Sequence, residues 1–312
     1  MSAKIVQIHS VTRLAPQIIS FIASKLSGKK IIYIYHDLLP ETALVMHGLS
    51  ENNFLRILLI LIERMLIKMS DIVLVPSPLM RALIRKRQHV KKKKIFILYP
   101  PVEKADFYKC WESKKEVRKE VRKMLRICDD DIVFTYSGKL EPHIRGLEIF
   151  IEAFIKVAEK RKHIKLILIG SGPLYKDIIR KVRRSGMLRN IILTGEVSRE
   201  DSIKITCASD VGVLPSPKYL DTVIAFPTKL LEYMLAGLII LCSDLPSFRL
   251  ILGRNAVFFK PNNLNDLISK LLYIVDNFEV IKQAVNTREK AEKYDIKRCE
   301  SMLMEIYNSL LR

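Results

Sequence analysis

The chain has 312 residues, 49% of them hydrophobic, and Lys and Arg outnumber Asp and Glu by 53 to 33, for a formal charge of +20. A chain this apolar can bury a core in each of about two domains, which excludes intrinsic disorder. The charge suits anionic partners (nucleic acid, acidic lipid headgroups, phosphorylated small molecules), and equally suits a basic protein that is merely soluble.

Cys110, Cys128, Cys207, Cys242 and Cys299 are odd in number and form no CxxC pair. That argues against a disulfide framework or zinc site and for a reducing compartment. The opening MSAKIVQIHS lacks the charged-then-apolar pattern of a signal peptide. The most apolar stretch, 54–69, is interrupted by Arg56, Glu63, Arg64 and Lys68. It is also short of the ~20 residues that a membrane span needs.

Short apolar runs alternate with longer amphipathic ones, the pattern of βαβ units on a parallel sheet. Strands are predicted at 4–9, 31–35, 71–75 and 95–98, with helices at 14–26, 54–69 and 78–88 between them. The run HVKKKK at 89–94 reads as a solvated turn or as a face for an anionic surface. Tyr99-Pro100-Pro101 breaks the pattern, because proline cannot continue a strand ladder. An exposed charged helix follows at 114–127, and the domain boundary is placed between 101 and 110. Strands are then expected at 131–138, 165–170, 191–195, 211–215, 238–243 and 256–259. Helices are expected after 147, at 173–186, at 228–237 ending on Gly237, and at 264–276.

Doubly wound sheets bind ligands at the carboxyl ends of their strands. Four segments lie there. Gly138-Lys139-Leu140-Glu141-Pro142-His143-Ile144-Arg145-Gly146 joins a strand to a helix. Lys139, Arg145 and the helix amides could hold a diphosphate there, or the segment is an ordinary basic loop. Gly170-Ser171-Gly172-Pro173 is not a dinucleotide fingerprint and could be only a tight turn. In Phe226-Pro227-Thr228-Lys229-Leu230-Leu231-Glu232, Thr228 is placed to cap a helix whose N-terminus lies against the loop 222–227. Lys229 opposes the helix dipole there, a conflict that an anionic ligand would relieve. Glu232 could accept hydrogen bonds from the two vicinal hydroxyls of a ribose, or could be a surface carboxylate paired with Lys229. Tyr35-His36-Asp37-Leu38-Leu39-Pro40-Glu41 ends a first-domain strand. His36 could bond a reacting sugar there, or serve only structure.

Together the stretches YSGKLEPHIRGLEIFIEAF, LILIGSGPLYKDII, ILTGEVSREDSIKITCASDVGVLPS and FPTKLLEYMLAGLIILCSDLPSF resemble the retaining family 4 glycosyltransferases of the GT-B fold (glycosyl transferases group 1), in order and spacing over 131–275. YHDLLPE and SDIVLVPSP resemble the family's amino-terminal domain more loosely. The resemblance implies an α/β, GT-B-like fold of two Rossmann-like doubly wound parallel-sheet domains, the amino-terminal one incomplete. The domains would be an acceptor-side unit at 1–105 and a nucleotide-sugar-binding unit at 106–290, with a terminal helix, 291–312, returning to the first.

It also implies roles: Lys139 and Arg145 on the donor diphosphate, Gly195-Glu196-Val197 around the nucleobase, Glu232 on the ribose, and His36 near the transferred sugar. Gly138, Gly170, Gly172, Phe226, Pro227, Thr228 and Lys229 complete the donor pocket. Three departures stand out. The Lys139-to-Arg145 spacing is one residue longer than the commonest form. Ile224 stands where many members carry a Glu that contacts the donor sugar. Members also usually open with a further segment that includes a glycine-rich loop.

The expected activity is metal-independent transfer of a glycosyl group from a nucleoside diphosphate sugar, with retention, to a lipid-linked or growing glycan. No cofactor is expected, and the donor is a co-substrate. The expected place is the cytoplasm, peripheral on the inner membrane face. An alternative is a non-catalytic or half-enzyme donor-binding subunit whose partner chain supplies the missing amino-terminal segment. A remote one is a nucleic-acid-binding protein, disfavoured because the basic runs carry no aromatic platform.

Overall fold

The computed structural model describes residues 3–10, 14–36, 38, 40–41, 44, 53–89, 94–142, 145–284 and 286–311. Asp37 and Leu39 of the His36 segment, residues 90–93 of the lysine run, and His143 and Ile144 lie outside them. The chain forms two compact units: Met1–Pro101 with Tyr219–Phe226 and Ile296–Arg312, and Val102–Lys218 with Pro227–Asp295.

In the first unit, β1 (Ile5–His9), α1 (Leu14–Leu26), β2 (Lys30–Ile34), α2 (Asn53–Met69), β3 (Ile72–Val75), α3 (Pro78–Gln88) and β4 (Ile95–Ile97) follow one another. The strands form a parallel sheet in the order β1-β2-β3-β4. A parallel sheet is covered on both faces, so its strands are continuous apolar runs. Ile31, Tyr33 and Tyr35 pack with Phe21, Leu66 and Ile84. Ile32 and Ile34 face the other way, with Leu74 and Ile306 of the terminal helix Ile296–Leu311. Ser77 caps α3 by accepting from the Met80 N–H at 3.0 Å, satisfying a donor that the helix start leaves unpaired.

The second unit adds α4 (Lys104–Glu112), α5 (Lys114–Met124), β5 (Ile132–Ser137), α6 (Leu147–Lys160), β6 (Ile164–Ile169), α7 (Tyr175–Arg184), β7 (Ile191–Gly195), α8 (Arg199–Ala208) and β8 (Val211–Leu214). After α9 (Thr228–Leu235) come β9 (Ile239–Ser243), α10 (Pro246–Leu252), β10 (Val257–Phe259) and α11 (Leu264–Asp276). Its parallel sheet runs β10-β9-β8-β5-β6-β7. Strand order reverses at β5, so the crevice beyond the carboxyl ends of β5 and β8 is the topological switch point. Phe134 of β5 meets Phe154 of α6 edge-on at 5.6 Å within the main core.

Three sequence expectations change. The helix read as exposed over 114–127 ends at Met124 and carries the buried Arg122. Arg122 Nη2 lies 2.8 Å from Asp210 Oδ2, and its Nη1 donates to the carbonyls of Cys128 (2.6 Å), Asp129 and Asp131 (both 3.1 Å). A charge is tolerated there because a carboxylate and three carbonyls replace its water. Thr228 does not cap α9: Pro227 holds the cap position, with no side-chain cap bond. The loop expected at 222–227 is partly helical, as Leu220–Ile224. Ile224 is 5% exposed within the first unit's core, an apolar side chain buried by the same hydrophobic drive as its neighbours.

Candidate functional site

The second unit's site is built from the carboxyl end of β5. Gly138 leaves the strand with φ +137°, a conformation that side chains other than glycine's rarely adopt. The Lys229 side chain crosses the space that a Cβ would fill there. Lys229 comes from the first turn of α9, whose Tyr233 is fully buried and accepts the Ser137 N–H at 2.9 Å. That bond ties helix to strand end and sets the reach of Lys229. Its Nζ lies 3.4 Å from the Tyr136 hydroxyl and 4.8 Å from the ring centroid. Burial, with the nearby Arg145 charge, lowers the Lys229 pKa to about 8, against the pull of Glu232 and Glu141. Burial raises Tyr136 to about 12.

Lys139 and Arg145 converge, but on a residue that the sequence did not single out. Glu141 receives Lys139 Nζ at 2.7 Å on one oxygen and lies 3.5 Å from Arg145 Nη2 on the other. The bond from Lys139, aided by Arg145 and Lys229, holds its carboxyl below the ordinary range. Arg145 Nε is buried without a hydrogen-bond partner. Three cations and one carboxylate thus share the switch-point crevice, so the site carries net positive charge. The only earlier signal for Glu141 was its place between the two cations.

Gly170 donates its N–H to the Gly195 carbonyl at 2.9 Å, and Gly172 packs against the Leu140 backbone. The loops after β5, β6 and β7 therefore lie side by side. Glu196 is exposed. The Val197 side chain is partly buried against a core cluster that includes Val133 and Ile169. Glu232 does not pair with Lys229 as a surface carboxylate would; its partner is Arg199 Nη1 at 3.3 Å, and Arg199 Nε lies 3.8 Å from Asp106. Arg199 was missed, although it stands directly after the Gly195 loop.

Two expected site residues belong to the first unit. Phe226 belongs to the first unit, its ring buried 5.1 Å from Tyr99, so its side chain is not open to a ligand. His36 also belongs to the first unit, beyond the carboxyl end of β2. Its N–H donates to Ser10 Oγ at 2.9 Å, and its Nε2 lies 2.7 Å from His9 Nδ1. Among the described residues, the one cluster with metal-ligand character is Asp130, Asp131 and His163. Asp131 there already accepts the Cys128 N–H at 2.9 Å and lies 3.7 Å from Lys165.

Residues 131–277 match the family described as Glycosyl transferases group 1, and residues 3–106 match Glycosyltransferase Family 4. No curated protein matches significantly in sequence. Among solved structures, the fold is similar to Anabaena HepE in complex with UDP (TM-score 0.75, 15% identity, 97% of this chain and 78% of that one). It is similar to sucrose-phosphate synthase from Thermosynechococcus elongatus (0.75, 16% identity, 99% and 74%). It is also similar to WaaB, a lipopolysaccharide outer core galactosyltransferase, in its apo form (0.61, 18% identity, 99% and 74%). A Family 4 match on the first parallel sheet and a group 1 match on the second agree with these folds, and the chain belongs to the GT-B glycosyltransferases.

Proposed function

We propose that the second unit binds a nucleoside diphosphate sugar at the β5 switch point, with Lys139, Arg145 and Lys229 around the diphosphate. The supporting observation is the convergence of these cations on a single carboxylate, Glu141. A diphosphate offers the same chemistry with more charge and displaces Glu141. As the glycosidic bond breaks, negative charge grows on the leaving diphosphate, and cations already fixed in place stabilise it without reorganising. They neutralise charge that a divalent ion would otherwise take. Glu232, oriented by Arg199, accepts from the ribose hydroxyls. The Gly195-Glu196-Val197 backbone receives the base, and Gly138, Gly170, Gly172, Pro227 and Thr228 shape the pocket. The donor is a UDP-sugar, as HepE binds UDP. Transfer proceeds with retention, and His36 of the acceptor-side unit hydrogen-bonds the moving sugar. Lys139→Ala and Arg145→Ala should each lower turnover at least tenfold; a smaller loss in both overturns the diphosphate assignment.

The acceptor is a lipid-linked or growing glycan, a reading supported by the similarity to WaaB, a lipopolysaccharide outer core galactosyltransferase. No helix among the described residues is long and apolar enough to cross a membrane. One stripe of α2 nonetheless exposes Phe54, Ile57, Leu58, Leu61 and Met65, and α1 exposes Ile19, Ile22 and Leu26. Exposed apolar stripes on a basic chain suit shallow insertion into an anionic leaflet, on the inner face of the cell membrane. Flotation with phosphatidylglycerol vesicles at low salt tests this, and absence of binding removes it.

A second reading is favoured by Ile224, which puts a buried methyl-bearing side chain where many relatives present a carboxylate to the donor sugar. On that reading the chain binds donor and depends on a partner chain for transfer. Turnover by the isolated chain decides between them.

A further inference from the structure

We propose that the second unit carries a further binding site, at the outer edge of its sheet, for a phosphate group borne on an apolar chain.

The site is a cavity of 480 Å³ beside β10, within the roughly 300–1,000 Å³ usual for small-molecule pockets. It is separate from the donor crevice. β10 is the outermost strand and lies three strands from β5, ~14 Å away at ~4.8 Å per strand. Ile239 and Val257, which line the cavity, open their strands, whereas the donor crevice lies beyond the carboxyl end of β5.

One part of the lining is apolar. Val257 contributes from β10, and Val280 and Ile281 from the helix Phe278–Ala284. Val280 is 71% exposed and Tyr273, which also lines the cavity, 51%. An occupant would take this surface out of water, a gain in proportion to the area covered.

The other part is cationic. Arg249, Arg254 and Lys270 line the cavity, and among the described residues no carboxylate does. The three cations are not equivalent. Arg249 sits bidentate on Asp244 at 2.6 and 2.9 Å, with its guanidinium 3.7 Å from the Phe258 ring centroid. Its charge is answered and it is fixed in place. Arg254 and Lys270 form no ion pair among the described residues. Arg254 follows Gly253, whose φ of +61° turns the chain off the end of α10. Lys270 stands three residues before Tyr273 on α11, so the two share a helix face. Two unanswered charges beside an aliphatic surface suit an anion with a hydrocarbon body. The cations meet phosphate oxygens through charge-assisted hydrogen bonds, and the chain lies along Val257, Val280 and Ile281. A nucleotide suits the cavity less, because Arg249 already covers the Phe258 face on which a base would stack.

A membrane lipid and a soluble alkyl phosphate present this same chemistry, and the test separates them. In calorimetric titrations of the whole chain, monomeric decyl phosphate should bind at least about tenfold more tightly than inorganic phosphate, which lacks the chain, or decyl maltoside, which lacks the charge. Arg254→Gln combined with Lys270→Gln should weaken decyl phosphate at least about tenfold, with an unchanged melting curve and UDP binding within about twofold, as expected of distant sites. Val280→Asp, at an exposed position, should weaken it as well. Removing equal charge from α7, by Arg183→Gln with Arg184→Gln, should leave decyl phosphate binding within about twofold, since charges far from the cavity are screened. Flotation with phosphatidylglycerol vesicles then assigns the source: a loss confined to the Arg254 and Lys270 double variant means a membrane lipid, and flotation equal to wild type means a soluble phosphate. Absence of decyl phosphate binding overturns the proposal. So do equal losses in the two double variants, and so does displacement of decyl phosphate by UDP, which would put it in the donor crevice.

Discussion

At the proposed donor site, Lys229 should make nucleotide binding depend on pH in a window where few other groups titrate. Its ammonium is half-buried between the Tyr136 ring and Gly138, and Arg145 adds repulsion, so its pKa falls to about 8. A bound diphosphate supplies the missing counter-charge and pulls the proton back on. Raising the pH through 8 then removes the charge from the free protein before the ligand arrives. The protonated fraction falls from about nine-tenths at pH 7 to about one-tenth at pH 9, so affinity should fall about tenfold over that interval. Ionisation of the nucleotide does not mask this, because a phosphate's second proton leaves near pH 6. Calorimetric titration of UDP at pH 7, 8 and 9 should show that loss, with proton uptake rising from about a tenth of a proton at pH 7 through about half at pH 8 to about nine-tenths at pH 9. Lys229→Met keeps the apolar stem and removes the titration. It should bind about 1.5–3 kcal/mol more weakly at pH 7, the worth of a charged hydrogen bond, with a flat profile above it. A flat wild-type profile, or a methionine variant that keeps the slope, refutes the reasoning.

Glu141→Gln should tighten UDP binding several-fold at pH 7, since the nucleotide no longer displaces a carboxylate from Lys139 and Arg145; weaker binding in the same titration would show that Glu141 helps hold the cations in place. Arg122→Ala should cost roughly 1.5–3 kcal/mol of unfolding free energy in urea melts, the worth of a charged hydrogen bond, because Asp210 loses one arginine and keeps Arg118 at 2.8 Å. Glu63 is fully buried and accepts from Gln88 at 2.6 Å, and burial raises its pKa. The folded chain then binds this proton more readily than the unfolded one, so ionisation above the ordinary carboxylate range costs stability. Glu63→Gln should therefore melt higher than wild type at pH 7, and the gap should close as the pH falls below about 4.

Much of the architecture was legible because parallel sheets advertise themselves. Both faces of β2, β3, β5, β6, β8 and β9 are buried over most of their length, so these strands stand out as apolar runs, and the glycines at strand ends mark the turns that a ligand approaches. The four motifs could be ordered along the chain on that basis, and the Lys139–Arg145 pair could be named as cationic.

What the chain alone left open were properties of side chains brought together from far apart. Arg122 reads as one more charge on an amphipathic helix until Asp210, from the start of β8, appears beside it. Glu141 looks like loop filler until the turn folds it between two cations. Glu232 could have met Lys229 one turn away along its own helix; the fold gave it Arg199 from the first turn of α8. Phe226 and Ile224 sit next to a donor motif in sequence and are buried in the other unit's core. His9 and His36 become a pair only through the register of β1 on β2. Local pattern decides where strands and helices form because burial periodicity is written residue by residue. Partnership between charges and rings depends on angles and distances across the chain, and only packing of the whole chain decides those.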